Sequence, residues 1–192
     1  MKLLFATHNQ HKLEEIQQLI TPSVELVSLN ELRFSEEIDE TGTDLTENAL
    51  IKAQTIYRKF QLDTFADDTG LEVDVLNGEP GVYSARYAGE EKNSVANMQK
   101  VLSLMQGQAN RKARFRTVIA LIYKQQEFLF EGIVNGEILE VPMGQGGFGY
   151  DPIFKPEGFD QSFAQMNAAT KNSISHRGRA VEQLINFIHQ IS

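Results

Sequence analysis

Two carboxylates stand side by side at Asp67-Asp68, followed by Thr69 and Gly70. On an extended chain neighbouring side chains point to opposite faces. One of the pair therefore enters a given cleft, and the other turns to a helix end or a cation. A hard divalent cation such as Mg²⁺ binds through one or two carboxylates completed by substrate phosphates. Glu40, in Glu40-Thr41-Gly42, is a candidate second carboxylate, and Lys52 can reach the same place. Upstream, Thr7-His8-Asn9-Gln10-His11-Lys12 is a polar turn between an apolar strand and a helix. Free N–H groups and the helix dipole favour an anion there, and the Lys12 ammonium adds a full charge. The G-x-x-x-x-G-K-[ST] pattern of a Walker loop is absent. The bland alternative is a solvated lysine and an acidic surface turn.

A second group lies near the C-terminus: Lys171, Ser175-His176-Arg177, and the loop Gly144-Gln-Gly-Gly-Phe-Gly-Tyr-Asp151. The chain carries a net charge of −8, so three clustered cationic or donor side chains ask for an anionic or acceptor-rich partner. The alternative is a helix N-terminus whose cations pair with nearby acids. The loop matches G-x-G-x-x-G on paper. A dinucleotide fingerprint must open a helix, but Pro152 follows and pushes Asp151 from helical angles. The glycines instead let backbone approach a ligand, with Phe148 as a flat face beside Gly149, Tyr150 and Asp151. Base stacking on an aromatic contributes about 1–3 kcal/mol and tolerates different bases. Discrimination then falls to His176 and Arg177. Donors suit a 6-keto purine, and leaving a donor unmatched by adenine costs about 1–3 kcal/mol.

These groups need elements to hold them. Lys2–Ala6 reads as a strand, and Leu13, Ile16, Leu19 and Ile20 as the apolar face of a helix stopped at Pro22. Val24–Leu29 is a second strand. Asp44 and Glu47 resemble a capping box, opening a helix through Phe60. Thr64–Ala66 is a short strand running into a turn at Asp67–Gly70. Glu72–Leu76 is another strand, closed by the Asn77-Gly78 turn signal. Val95, Met98, Val101, Leu102 and Met105 stripe a further helix. Ala113–Tyr123 alternates and forms a long hairpin with Phe128–Val134 across Gln125-Gln126, and Ile138–Val141 extends the sheet. A final helix runs from about His176 to Ile191, capped by Ser175. The fold class is α/β with a mixed sheet.

The 192 residues suit one domain or two closely packed lobes. No apolar run approaches the roughly 18–20 residues of a membrane span, and no signal peptide or targeting segment is visible. The expectation is a cytoplasmic protein with no membrane partner. The chain has no cysteine, which excludes disulfides and thiolate metal sites. The acidic balance argues against polymeric nucleic acid, whose binding is driven by clustered Lys and Arg. It leaves room for one nucleotide.

Six blocks, in order over the whole chain, resemble the inosine triphosphate pyrophosphatase family. They are Thr7-x-Asn9-x-x-Lys12, Glu47-Asn48-Ala49, Ala66–Leu71, Pro80–Tyr87, Gly146–Pro152 and Ser175–Gly178. The resemblance implies residues 1–192 as one domain: an elongated mixed sheet with flanking helices, two lobes around a central cleft, working as a homodimer. It implies Mg²⁺-dependent hydrolysis of dITP, ITP and XTP to the monophosphate and pyrophosphate. By similarity, Thr7, His8, Asn9, Gln10, His11, Lys12 and Lys52 hold phosphates. Glu40 and Asp68 serve the metal, Asp68 also activates the attacking water, and Thr69 touches substrate. Phe148, Gly149, Tyr150, Asp151, Lys171, His176 and Arg177 form the base pocket. His8 departs from the small residue, often glycine, that is common there, and Thr69 stands where serine is frequent. A related pyrimidine or methylated-nucleotide pyrophosphatase is the runner-up, and a non-hydrolysing nucleotide-binding regulator the reading of a different class.

Overall fold

A computed structural model describes residues 1–191. The elements are β1 (Lys2–Phe5), α1 (Gln10–Leu19), β2 (Glu25–Ser28), α2 (Leu45–Phe60), β3 (Thr64–Val73), α3 (Ser94–Leu104), β4 (Lys112–Tyr123), β5 (Gln126–Ile138), β6 (Phe154–Pro156), α4 (Ala168–Ile174) and α5 (His176–Ile191). Short 3-10 turns fill several connections. The six strands form one sheet in the order β2-β1-β3-β4-β5-β6. The β1 strand pairs in parallel with β2 and β3, and β5 pairs antiparallel with β6. The sheet is thus mixed, as the alternation of βα units and hairpin requires.

The chain forms two compact units. The first contains Met1–Asp68, Thr117–Gly132 and the stretch from Arg177 onward, and the second Thr69–Arg116 and Ile133–His176. The core of the first unit joins Leu3, Phe5, Ile16, Phe65, Ile119 and Leu184. Its β1 and β3 strands are stapled by Phe5 and Phe65, whose rings stack at 4.6 Å. The core of the second joins Leu71, Val101, Phe115, Ile138, Phe154 and Phe163.

Caps place the helices. Asn9 accepts from the Lys12 N–H at 3.2 Å and starts α1. Asp44 accepts from the Glu47 N–H at 2.9 Å and starts α2. The reciprocal half of that capping box is missing, because the Glu47 carboxylate takes the Thr43 N–H and hydroxyl instead.

The largest departure from sequence expectation is at Asp67–Gly70. This segment is no turn. It continues β3 as one ten-residue strand. Lysines partner both aspartates, which removes the polar penalty for keeping them in a buried strand. Gly70 serves close approach: a Cβ there would stand 2.5 Å from the Gly81 carbonyl oxygen. The expected strand at Glu72–Leu76 is the end of β3 plus a 3-10 turn. The hairpin turns on Lys124 and Gln125, both left-handed at φ 48° and 67°, the geometry of a two-residue type I′ turn. Val95 is exposed rather than inward, and the strand expected at Ile138–Val141 is only the end of β5, which stops at Ile138. Neither α4 nor β6 was read from the sequence, since seven and three residues are too short to carry a period.

Candidate functional site

In the first unit, side chains from four segments converge. The first turn of α1 supplies Lys12, the segment before α2 supplies Glu40, α2 supplies Lys52, and β3 supplies Asp67 and Asp68. The alternation of β3 separates the two aspartates. Asp67 meets Lys12 Nζ at 2.9 Å and Arg177 Nε at 3.5 Å. Asp68 meets Lys52 Nζ at 2.8 Å, and the same ammonium meets Glu40 at 2.7 Å.

The electrostatics follow from burial and pairing. Burial alone would raise the Asp67 carboxyl. Lys12 and Arg177, with Lys52 behind them, overcome it and hold the group well below its ordinary 3.8. Asp68 goes the other way: burial raises it, Glu40 adds to the rise, and Lys52 and Lys12 only partly oppose. Asp68 is therefore the weaker acid of the pair, as suits a proton acceptor. Burial lowers Lys12 despite Asp67, and Lys52 and Arg177 push it the same way. Burial opposes the charge on Lys52 too, but Asp68 and Glu40 outweigh it and raise that ammonium.

Glu40 and Asp68 present two hard oxygen donors converging on one cationic point, now met by Lys52. That donor set fits a divalent ion of the Mg²⁺ class. Among the described residues no group of three or more His, Cys, Asp or Glu side chains gathers. Two carboxylates leave the rest of such an ion's shell to water and phosphate oxygens.

Of the expected Thr7–Lys12 turn, Thr7–Asn9 precede the helix and Gln10–Lys12 form the first turn of α1; apart from Lys12 the stretch is polar and open. Thr7 Oγ1 accepts from the Asn9 N–H at 3.1 Å, Gln10 donates to Glu14 at 3.1 Å, and His11 is exposed. The His8 ring stacks on Phe34 with centroids 5.8 Å apart.

The second unit gathers the other set. Lys171 donates to Asp151 at 2.7 Å, and both side chains are almost fully buried. The same Asp151 oxygen accepts from the Phe148 N–H at 2.8 Å. Gly147 is obligatory, because a Cβ would sit 2.1 Å from that oxygen. The Lys171 ammonium lies 5.0 Å from the centroid of the half-buried Phe148 ring. The Tyr150 hydroxyl donates to the Ser84 carbonyl at 2.7 Å. Gly149 takes φ 62° beside it. His176 is buried and stacks on Phe115 at 4.5 Å and 14°. Thr69 is half-buried at the start of this unit.

The cations expected to need a ligand have internal acids. Asp151 takes Lys171, and Asp67 and Glu15 take Arg177. Arg177 is grouped with residues 7–12, whereas Lys171 and His176 are grouped with Phe148 and Asp151. Four supporting residues escaped sequence reasoning. Glu15 binds Arg177 from 162 positions away. Asn48 takes the Gly42 N–H at 2.8 Å. Ser84 accepts from the Leu71 N–H at 2.9 Å. Phe115 backs His176. Each contact is long in sequence or indistinguishable from an ordinary helix or strand position.

Among the described residues no helix is long and apolar enough to cross a membrane. The sequence model of the Ham1 family matches residues 3–187. A Flavobacterium johnsoniae protein named dITP/XTP pyrophosphatase is 50% identical over 188 residues, covering 98% of both chains. A Christiangramia forsetii protein of the same name is 53% identical over 188 residues, covering 98% of this chain and 99% of that one. The solved Ham1 protein of Staphylococcus aureus superimposes with a TM-score of 0.91 at 37% identity, covering 100% of each chain.

Proposed function

The chain belongs to the Ham1 family, and from that membership we propose that it hydrolyses non-standard purine nucleoside triphosphates. Its substrates are dITP, ITP and XTP, and its products are the nucleoside monophosphate and pyrophosphate. The observation that carries the reading is the cluster in which one ammonium, Lys52, meets Glu40 and Asp68 at 2.7 and 2.8 Å. It combines metal-type donors, a phosphate-type cation and a carboxylate of raised pKa.

In this reading Glu40 and Asp68 hold Mg²⁺, which when bound supplies charge neutralisation on the phosphates. Lys52 and Lys12 hold the phosphate tail and offset the charge developing on the leaving pyrophosphate. Residues Thr7–Lys12 add N–H groups at the start of α1. Asp68 orients the attacking water and takes its proton. Thr69 touches the substrate. Phe148 stacks on the base, and Gly149, Tyr150 and Asp151 shape the loop around it. Lys171 and His176 supply polar discrimination. Arg177, paired with Glu15 and Asp67, supplies a donor for base recognition. In this reading residues 1–192 act as one domain, as a homodimer in the cytoplasm, without nucleic acid or membrane.

The test is a nucleotide panel with Mg²⁺, read by separate detection of pyrophosphate and orthophosphate. ITP yields IMP and pyrophosphate. ATP is slower by about 5- to 150-fold, the equivalent of one donor left unmatched. Orthophosphate as the product, or equal rates on ATP, sinks the assignment.

A further inference from the structure

The segment from Phe34 to Gly42 carries Glu40 but has no regular secondary structure. A stretch without backbone ladders holds its shape only through specific anchors. Its N-terminal end is fastened at Phe34, a buried ring set edge-on against Phe60 at 5.8 Å. The Lys59 ammonium lies 4.5 Å from the Phe34 centroid and pairs with the Glu36 carboxylate. Its C-terminal end is fastened by the Gly42 N–H donating to Asn48. Gly42 has no room for a side chain, since a Cβ would meet Asn48 Oδ1 and Glu47 Cβ at 2.7 Å. All of these partners belong to α2.

His8 is different, because it ties the same segment to the phosphate turn. Its Nε2 lies 2.9 Å from the Glu36 carbonyl, so that nitrogen carries the proton and donates. Its ring lies nearly parallel to Phe34, at 17°. His8 directly precedes Asn9, the cap that starts α1, and lies four residues before Lys12. One side chain thus couples the turn bearing Lys12 to the segment bearing Glu40.

We infer that His8 is a positioning residue that holds the Phe34–Gly42 segment, and with it the Glu40 carboxylate, against the phosphate turn. It acts through Glu36 and Phe34 and touches no reacting atom. The inference rests on the proposed function only for its kinetic consequence. Its structural consequence stands alone.

The experiment compares wild type with His8→Gly, His8→Gln and His8→Phe. The first readout is hydrogen exchange of the amides of residues 35–42 in metal-free protein. A lost hydrogen bond and a lost ring contact together are worth about tenfold, or about 1.4 kcal/mol. His8→Gly therefore speeds exchange in this segment about tenfold while β1 and α5 stay as in wild type. His8→Gln, which keeps an N–H donor, and His8→Phe, which keeps the stacked ring, each restore part of the protection. The second readout is ITP hydrolysis against Mg²⁺ concentration. His8→Gly raises the half-saturating Mg²⁺ about tenfold.

Unchanged exchange at residues 35–42 in His8→Gly overturns the inference. So does a fall in kcat with an unchanged Mg²⁺ requirement. If wild type does not hydrolyse ITP, the proposed function fails, and the exchange data still decide the role of His8.

Discussion

Replacing Asp67 by asparagine tests the buried ionic centre of the first unit. The amide has nearly the carboxylate's volume, so the change opens no cavity. What it removes is the negative charge. The Asp67 side chain is 1% exposed, its partner Arg177 2% and Lys12 15%. Breaking a buried pair by neutralising one partner costs about 3–5 kcal/mol, because the other charge is left uncompensated. Arg177 keeps Glu15, which puts the expected loss near the lower end, about 3 kcal/mol. For a chain of this size each kcal/mol moves Tm by about 2–4 °C, so Tm falls by about 6–12 °C. Thermal unfolding by circular dichroism measures it, with urea denaturation checking that the midpoint moves at constant slope. Glu25→Gln is the control. It breaks the solvent-exposed Lys2–Glu25 pair at 3.1 Å, worth about 0–1 kcal/mol. The pH dependence supplies a sign. Asp67 is depressed below its ordinary 3.8, so its stabilisation is complete above that value and is lost as pH falls through the lower folded value. The gap between wild type and Asp67→Asn is widest above pH 3.8 and narrows below it. A Tm within about 2 °C of wild type, or a gap indifferent to acid, refutes the reasoning.

Gly70→Ala forces a Cβ to 2.5 Å from the Gly81 carbonyl oxygen, and backbone cannot swing aside. Stability falls by about 1–3 kcal/mol in urea titration, and an unchanged midpoint contradicts the close-approach role. Lys171→Met strands the buried Asp151 carboxylate and lowers Tm by an amount comparable to Asp67→Asn. It also loosens residues 144–151, seen as faster hydrogen exchange there. Asp68→Asn lowers ITP turnover by about 10²–10⁴, the range of one general base, while ITP binding by calorimetry persists. Retained turnover moves the water-activating role to another group.

Much of the organisation was legible because it is written in short-range chemistry. Asp44 announced α2 as a cap, and periodic apolar residues announced α1 and α5, while the Asn9 cap of α1 emerged only in the structure. Six spaced blocks indicated the family before any coordinate. The Asp67–Gly70 error has a definite cause. Adjacent acids followed by glycine are turn chemistry when solvated. Only knowledge that Lys12, Lys52 and Arg177 arrive from elsewhere shows that the pair can stay in a buried strand. The expectation that Arg177 and Lys171 await a ligand met the same obstacle, since Glu15 and Asp151 are their partners through space.

Residue type and local order determined which groups are present: a turn with a helix behind it, two carboxylates with alternate directions, a glycine loop carrying Phe148 and Tyr150. Tertiary structure alone decided the pairing. Charges in a low-dielectric interior choose partners by distance, not by position in the chain, and the Glu15–Arg177 contact spans 162 residues. The separation of Asp67, held strongly acidic by two cations, from Asp68, kept a weaker acid beside Glu40, exists only once the fold has removed water from both.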